Sequence, residues 1–328
     1  LRYPFGLSRG TTLVRQSLVV ELTEDGQSGF GEATDNTYYG VTCEALVARL
    51  EAVRPSLEAH PFDTPEDLWA TLQPQLGDAP FALSAVDNAA YDLWGKRLGK
   101  PVYALWGLSA DSPRPPTSYT IALDRPDVMV HKVREREPWP LYKVKLGGAA
   151  DLEVVRALRE VTTSPLRVDP NGGWSPVEAT RLVPPLATLG VELVEQPLPA
   201  EAWDAMRRLR ADTPPLPFIA DESCQGEADV ARCQGAFHGI NIKVMKCGGL
   251  TVARRMIVDA RSRGLKVMVG CMVESTVGIS AAAQLLPLID YADMDGPLLL
   301  AQDIARGVRI EAGHLFYADT PGCGVELL

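Results

Sequence analysis

The sequence lacks long apolar runs and an excess of basic residues, and each absence excludes a class of partner. No stretch approaches the roughly 20 consecutive apolar residues of a membrane span, and residues 1–10 have no apolar signal-peptide core. The 42 acidic side chains outnumber the 32 basic ones, giving a net charge of −10. Such a surface disfavours binding to nucleic acid or to an anionic membrane. We therefore expect a cytoplasmic protein whose partner is a small molecule.

Metal-binding and disulfide patterns of cysteine are also absent. The six cysteines are scattered along the 328 residues and form no C-x-x-C pair. The sequence therefore predicts neither a zinc site nor a disulfide framework, and most of the cysteines are expected to be reduced core residues.

The first third of the chain combines a hairpin signature with helical periodicity. Two apolar runs flank Asp25-Gly26, which is typical of a β-hairpin. Three segments with helical spacing follow, at residues 43–59, 65–76 and 80–99. The proline-rich stretch DSPRPPTS then marks a linker. We predict an α+β capping domain over residues 1–113.

Beyond this linker, short apolar runs alternate with helical segments. The eight candidate strands are SYTIAL, LYKVKLG, PLRVDPN, VELVEQPL, PFIADES, GINIKVMK, KVMVGCMVES and YADMDGPLLL. Their alternation with helices predicts a TIM-like (β/α)7β barrel over residues 114–300. No eighth helix of normal length follows the last strand. The tail, residues 301–328, is expected to return to the capping domain and complete it.

Charged side chains recur near the C-terminal ends of five of these strands. Their spacings of 24, 26, 26 and 22 residues correspond to about one βα unit each. They are Lys145, Asp169, Glu195, Asp221 and Lys243. Barrel enzymes place their chemistry at that end of the strands, so we expect these groups to converge. Each carboxylate taken alone could instead cap a helix or accept hydrogen bonds from a loop.

Three converging carboxylates need a compensating cation. Without one, Asp169, Glu195 and Asp221 would repel one another and raise one another's pKa. Oxygen ligands favour Mg²⁺, so we predict one Mg²⁺ per subunit, with Asn171 as a hydrogen-bond donor beside it. Strand alternation predicts that Glu222 points away from the barrel interior.

Two lysines in LYKVKLGG share one face of a predicted strand. An exposed edge strand would also explain them. Beside a metal, Lys143 would instead lower the pKa of Lys145, while Lys243 flanks the metal from the other side. A carboxylate substrate held there could lose its α-proton to one lysine and regain it from the other, through an enediolate that Mg²⁺ stabilises. Lys246 has the opposite parity to Lys243 and is expected in solvent.

The segments YKVKLGG, RVDPNGGW, LVEQPL, IADES and NIKVMKCGG, with ALSAVDNAAYDLWGKRLGKPVYALWG upstream, resemble the muconate-lactonizing-enzyme subgroup of the enolase superfamily. The resemblance extends over nearly the whole chain. It implies a lysine acid/base pair, three carboxylate ligands of Mg²⁺ and a lysine that contacts the substrate carboxylate. The acid/base pair would be Lys145 and Lys243, the Mg²⁺ ligands Asp169, Glu195 and Asp221, and the lysine that contacts the substrate carboxylate Lys143.

The same superfamily contains histidine-dependent sugar-acid dehydratases, and the four histidines argue against that activity. None of them falls at the C-terminal end of a predicted strand. They are His60, His131, His238 and His314.

The eighth strand distinguishes the reactions of the subgroup. Asp293 and Asp295 share the face of YADMDGP that points to the mouth. Two carboxylates outside the metal shell favour a cation such as the α-ammonium group of a dipeptide, and the pattern resembles that of dipeptide epimerases. We predict an epimerase that inverts the C-terminal α-carbon of a dipeptide, L-Ala-D/L-Glu first and other dipeptides second. The alternatives are an N-succinylamino acid racemase, an o-succinylbenzoate synthase, a muconate cycloisomerase and, more remotely, a non-catalytic binding protein.

Side-chain selectivity has weaker signals. Thr120, Cys271 and Val273 are candidate substrate contacts, although barrel packing would explain them equally. In relatives that epimerise L-Ala-L-Glu, a basic residue of the N-terminal loop pairs with the glutamate side chain, and Arg9 is the candidate here. Two threonines follow it where some relatives carry another basic residue. A homo-oligomer is expected by analogy with other barrels of this kind.

Overall fold

The N-terminal part of the chain is a small layer of hairpins and helices. The computed structural model describes residues 1–59, 61–212 and 216–328, so His60 lies outside the described residues. The predicted turn has φ of 50° at Asp25 and 77° at Gly26, the left-handed conformation that a tight hairpin requires. The strands are β1 (Phe5–Leu7), β2 (Gly10–Thr12), β3 (Ser17–Glu24) and β4 (Gln27–Thr34). The helices are α1 (Cys43–Ala59), α2 (Pro65–Leu76), α3 (Pro80–Arg97) and α4 (Val102–Leu105).

A parallel eight-stranded sheet follows, with its strands in chain order. A bridge between Thr117 and Ala292 connects the approach to the first strand with the last strand, so the sheet is nearly closed. The predicted capped, TIM-like barrel is therefore confirmed. The barrel strands are β5 (Tyr119–Ile121), β6 (Tyr142–Lys145), β7 (Leu166–Asp169), β8 (Val191–Glu195), β9 (Phe218–Ala220), β10 (Gly239–Lys243), β11 (Lys266–Gly270) and β12 (Tyr291–Asp293).

Helices surround the barrel and connect its strands. Amphipathic helices such as α6 place their apolar residues against the sheet, which buries one contiguous apolar core. The helices are α5 (Pro126–Arg136), α6 (Asp151–Arg159), α7 (Pro176–Thr188), α8 (Trp203–Asp212), α9 (Glu227–Cys233), α10 (Val244–Cys247), α11 (Leu250–Ser262), α12 (Thr276–Ala283), a 3₁₀ turn (Leu286–Leu288) and α13 (Gly296–Leu299).

The cap is docked over the C-terminal ends of the barrel strands. Asp87 of α3 accepts hydrogen bonds from the backbone N and Oγ1 of Thr251, at the start of α11. Glu32 of β4 accepts hydrogen bonds from Ser275 N, Ser275 Oγ and Gly278 N, at the start of α12. Carboxylates at helix N-termini are stabilised by the free N–H groups there. Because α11 and α12 follow barrel strands, these contacts hold the cap at the barrel mouth.

The tail returns to the cap after the four-residue helix α13. Cys323 N donates a hydrogen bond to Asp92 Oδ1 of α3 (2.7 Å), and Lys96 Nζ donates one to Val325 O (3.0 Å). The predicted boundaries at residues 113 and 300 stay predictions. The short strands of the tail are β13 (Ala305–Arg306), β14 (Arg309–Glu311), β15 (His314–Phe316) and β16 (Glu326–Leu327). Among the described residues, no helix is both long and apolar enough to cross a membrane.

Candidate active site

The barrel strands bring the five spaced charged side chains to one mouth. Lys145 is paired with Asp169 in the register of β6 and β7. Glu195 ends β8, Asp221 follows β9 and Lys243 ends β10. All five side chains are buried. Lys145 and Lys243 line a cavity of about 320 Å³ between the cap and the strand ends, called the mouth cavity below, and the three carboxylates bind lysines that line it.

Three of these side chains form a carboxylate cluster. Asp169, Glu195 and Asp221 each offer an oxygen, and these oxygens lie within 4.8 Å of one another. Glu195 Oε2 is buried and accepts no hydrogen bond, although Lys143 Nζ is 2.8 Å away. Asn241 Nδ2 donates to the other oxygen of Glu195 at 2.9 Å and so orients the carboxylate. An oxygen-only cluster with an unsatisfied buried oxygen fits a hard divalent cation such as Mg²⁺.

The three carboxylates differ in their pKa. Burial opposes the ionisation of each, but the ammonium groups around Asp169 and Asp221 outweigh burial and hold their pKa values below the usual range. Burial and the nearby charge of Asp169 instead raise the pKa of Glu195 to about 8. Of the three carboxyl groups, Glu195 is therefore the one that is hardest to ionise.

Two lysines reach the cluster from different strands. Lys145 Nζ lies 2.6 Å from Asp169 Oδ2, and Lys243 Nζ lies 2.8 Å from Asp221 Oδ2. Both lysines line the mouth cavity. The cluster therefore has two buried lysines beside it, which come from different strands and open on one cavity.

Lys143 makes the densest set of ionic contacts. Its Nζ lies 2.7 Å from Asp293 Oδ2, 2.8 Å from Glu195 Oε2 and 3.1 Å from Asp169 Oδ2. Burial opposes its charge, but these carboxylates outweigh burial and raise the pKa of Lys143 well above its ordinary value. The lysine is therefore a fixed cation inside the barrel and not an exposed edge residue.

Lys246 does not lie in solvent, so the prediction from parity is wrong. It is 3% exposed, and its Nζ donates to Asp221 Oδ1 at 2.5 Å and to the carbonyl oxygens of Asp221 and Cys224. Strand β10 ends at Lys243 and α10 begins at Val244, so strand alternation does not extend to Lys246. Residues three apart on a helical turn share one side, which places Lys246 beside Lys243.

Glu222 also departs from its predicted orientation. Strand β9 ends at Ala220, so alternation no longer applies two residues later. Glu222 is 2% exposed, lines the mouth cavity and pairs with Arg9 at 2.9 Å. Asn171 Nδ2 donates to Asp169 Oδ2 at 3.2 Å, which is the contact expected from its parity.

The end of the eighth strand brings two more carboxylates to the mouth cavity. Asp293 accepts a hydrogen bond from Ser118 Oγ (2.6 Å), and Asp295 accepts one from Thr120 N (2.6 Å). Burial opposes ionisation of Asp293, but Lys143 lowers its pKa below the ordinary value. Burial and the charge of Asp293 raise the pKa of Asp295 to about 7. Asp293 therefore faces the cavity as a carboxylate, whereas the charge of Asp295 changes near neutral pH.

The weaker candidates all line the mouth cavity. Thr120, Cys271 and Val273 lie on the barrel side, and Arg9 lies on the cap side. Arg9 is already engaged, because its Nη2 donates to Glu222 and its Nη1 to the backbone oxygen of Asn171.

Sequence reasoning missed Ser118 and Asn241. Both follow the alternation of their strands, since Ser118 lies two residues before Thr120 and Asn241 two residues before Lys243. Both lie within the predicted strands SYTIAL and GINIKVMK, so reading the inward face of each strand one position earlier would have found them. Arg15, which also lines the cavity and binds Asp35, carries no such signal.

A cap docked over a parallel barrel, with clustered carboxylates between two buried lysines at the mouth, defines an enolase-type barrel. The chain belongs to this family: residues 1–107 match the mandelate racemase / muconate lactonizing enzyme N-terminal domain, and residues 128–328 match the enolase C-terminal domain-like family.

Several curated relatives and solved structures that this chain resembles are epimerases. An L-Ala-D/L-amino acid epimerase of Maribacter sp. is 48% identical, over 100% of this chain and 96% of that protein. The substrate-liganded L-Ala-D/L-Glu epimerase from Bacillus subtilis matches with a TM-score of 0.93 and 28% identity, over 99% of this chain and 95% of that one. A dipeptide epimerase from Cytophaga hutchinsonii, complexed with Mg and D-Ala-L-Val, matches with a TM-score of 0.92 and 28% identity, over 100% and 93%.

Proposed function

We propose that this protein is a Mg²⁺-dependent dipeptide epimerase that inverts the α-carbon of the C-terminal residue. The observation that carries the proposal is the pair Lys145 and Lys243, which approach the carboxylate cluster from two strands and line one cavity. Two amines at one cavity suit a reaction that removes a proton from one face of a carbon and returns a proton to the other face. The dipeptide relatives described above support this choice within the family.

The metal has a defined place in the proposal. Asp169, Glu195 and Asp221 would hold one Mg²⁺ per subunit, next to the carboxylate of the dipeptide. When bound, the ion supplies positive charge that stabilises the negative charge developing on that carboxylate as the α-proton leaves. Because burial and the charge of Asp169 raise the pKa of Glu195 to about 8, Glu195 would have to be deprotonated to hold the ion.

The lysines carry out the proton transfers. A free amine on Lys145 or Lys243 takes the α-proton from its own face, and the ammonium group of the other lysine delivers a proton to the opposite face. Lys143 stays charged throughout, because three carboxylates hold its ammonium group, and it orients the substrate carboxylate. Inversion follows because removal and return occur on opposite faces.

Asp293 and Asp295 would bind the α-ammonium group of the dipeptide. Both are buried, both line the mouth cavity, and neither belongs to the metal cluster. A buried carboxylate pair is stabilised by a cation. An N-acylated amino acid has no such cation, so the pair favours a dipeptide over the N-succinyl substrates of the subgroup.

Proton NMR in D₂O tests the function directly. L-Ala-L-Glu, the first predicted substrate, and a panel of other L-L dipeptides are incubated with the protein and Mg²⁺. We expect the C-terminal α-proton signal to decrease while the signals of the L-D diastereomer appear. Turnover of N-succinylamino acids or of a cyclohexadiene carboxylate, with no exchange on any dipeptide, would overturn the proposal and leave the family assignment intact.

A further inference from the structure

The cap places two arginines at the mouth cavity, and the first of them is neutralised. Arg9 Nη2 lies 2.9 Å from Glu222 Oε1, its Nη1 donates to Asn171 O at 3.0 Å, and its guanidinium group stacks 3.9 Å from the centroid of the Tyr38 ring. Two hydrogen bonds and an aromatic face therefore fix the guanidinium group. Its charge is balanced by a carboxylate of the barrel.

The second arginine is neutralised within the cap. Arg15 Nη1 donates to Asp35 Oδ1 at 3.0 Å and to the backbone oxygen of Asp35 at 2.8 Å. The lysines that line the same cavity are likewise engaged with Asp169, Asp221 and Asp293. In the described part of the chain, each Lys or Arg side chain that lines the mouth cavity therefore has a carboxylate partner.

Arg9 cannot turn to a substrate carboxylate without cost. Glu222 is 2% exposed, and its Oε2 is buried and accepts no hydrogen bond even while Arg9 binds the other oxygen. Withdrawing the guanidinium group would leave a buried carboxylate without its cation, the costly way to break a buried pair. An acidic side chain would thus have to compete with Glu222 for Arg9.

The rest of the cap side of the cavity is uncharged. In the proposed binding mode, the substrate carboxylate lies at the metal cluster and its ammonium group at Asp293, and the C-terminal side chain extends towards the cap. The cap residues there include Phe5, Leu7, Thr12 and Tyr38. This wall offers apolar surface and hydroxyl groups but no unpaired cation.

We infer that the enzyme prefers dipeptides whose C-terminal side chain is uncharged and discriminates against an acidic one, with Glu222 as a selectivity residue that acts by holding Arg9. The inference rests on the proposed function and refines it. Glutamate loses its hydration without gaining a partner, whereas an uncharged side chain of the same length loses less. A lysine side chain would likewise lose its hydration without gaining a free carboxylate, because Glu222 and Asp35 are already paired with the two arginines.

A matched pair of substrates isolates the charge. L-Ala-L-Gln and L-Ala-L-Glu have side chains of almost the same shape, and L-Ala-L-Lys supplies the opposite charge. We expect kcat/KM for L-Ala-L-Gln to exceed that for L-Ala-L-Glu by about tenfold or more. An equal or higher value with the Glu or Lys dipeptide would overturn the inference and leave the epimerase standing, whereas no exchange on any dipeptide would overturn both.

Two sets of variants test the cause. Glu222→Gln releases Arg9, so the ratio of kcat/KM for Glu over Gln dipeptides should rise by about tenfold. Glu222 adjoins Asp221, so a second variant away from the metal cluster is needed. Thr12→Lys adds an unpaired cation to the cap wall, and Thr12→Gln is the matched uncharged variant. An unchanged ratio in Glu222→Gln contradicts the role given to the paired arginine. Equal ratios in the two Thr12 variants contradict the placement of the C-terminal side chain against the cap.

Discussion

At the scale of single residues, the proposed function depends on two lysine side chains. Lys145 and Lys243 bind different carboxylates, Asp169 and Asp221, and belong to different strands. Their positions differ while their chemistry is the same, so each is expected to serve one face of the α-carbon.

Replacing either lysine by alanine should separate exchange from inversion. In Lys145→Ala and Lys243→Ala, epimerisation is expected to fall by about 10² to 10⁴-fold or more, because one proton transfer loses its acid or base. Each variant should still exchange the α-proton of one diastereomer with D₂O, and the two variants should retain opposite diastereomers. Exchange of the same diastereomer by both variants would contradict the assignment of one lysine to each face.

Lys246 is expected to act on stability through Asp221. Lys246→Met removes a buried ammonium group with three oxygen contacts, so the free energy of unfolding should fall by roughly 3 to 5 kcal/mol in urea titrations. Lys266→Met is the control, because that exposed lysine pairs with Asp290 at the surface and should contribute less than about 1 kcal/mol. Similar losses in the two variants would show that burial of the pair is not the cause.

At the scale of helices and strands, side-chain orientations predicted from strand alternation are correct within a strand and fail beyond its end. Alternation placed Lys143 with Lys145 correctly because both lie within β6. It failed at Glu222 and Lys246, because the backbone turns after Ala220 and becomes helical after Lys243. Strand ends depend on contacts with neighbouring elements, which a single sequence does not record. The pairing of Arg9 with Glu222 joins residues 213 positions apart in the sequence and had no local signal.

The contact between β4 and α3 allows no side chain at Gly31. A Cβ atom there would lie 2.0 Å from Ala85 O and 2.7 Å from Ala89 N, both backbone atoms of the helix. Gly31→Ala should therefore lower the free energy of unfolding by about 1 to 3 kcal/mol or more. Gly148→Ala, whose Cβ would meet only Asp151 Oδ1 at 3.7 Å, should change it by less than about 0.5 kcal/mol. Thermal unfolding of both variants checks the contrast, and equal melting temperatures would contradict it.

On the scale of the whole molecule, docking of the cap on the barrel depends on buried carboxylates. Burial raises the pKa of Asp87 from its ordinary 3.8 to about 7, although Thr251 donates two hydrogen bonds to it. Glu66 and Arg255 also act on Asp87, in opposite directions, and Tyr91 lies beside the same threonine. Between about pH 4 and 7 the folded protein thus holds a proton that the unfolded chain has released.

This proton makes stability depend on pH in a definite direction. The contribution of Asp87 is complete below about pH 4 and is lost as pH rises through about 7, by at most about 1.4 kcal/mol per pH unit. Asp87→Asn removes the titration. The free energy of unfolding of the native protein minus that of Asp87→Asn, from urea titrations between pH 4 and 8, should therefore decrease with rising pH. A pH-independent difference would show that Asp87 has the same pKa folded and unfolded.

The contact between the last and the first barrel strand involves the two aspartates that we propose to bind the substrate ammonium group. Asp293 and Asp295, at the end of the last strand, accept hydrogen bonds from Ser118 and Thr120 at the first strand. If these two aspartates also bind the ammonium group, as we propose, a substitution at either one would disturb barrel closure and substrate binding together. On the cap wall, a comparable double role falls to Arg9, which pairs with Glu222 of the barrel. We therefore expect substitutions at the other cap residues of the cavity to change which side chain is accepted without affecting the proposed ammonium contact.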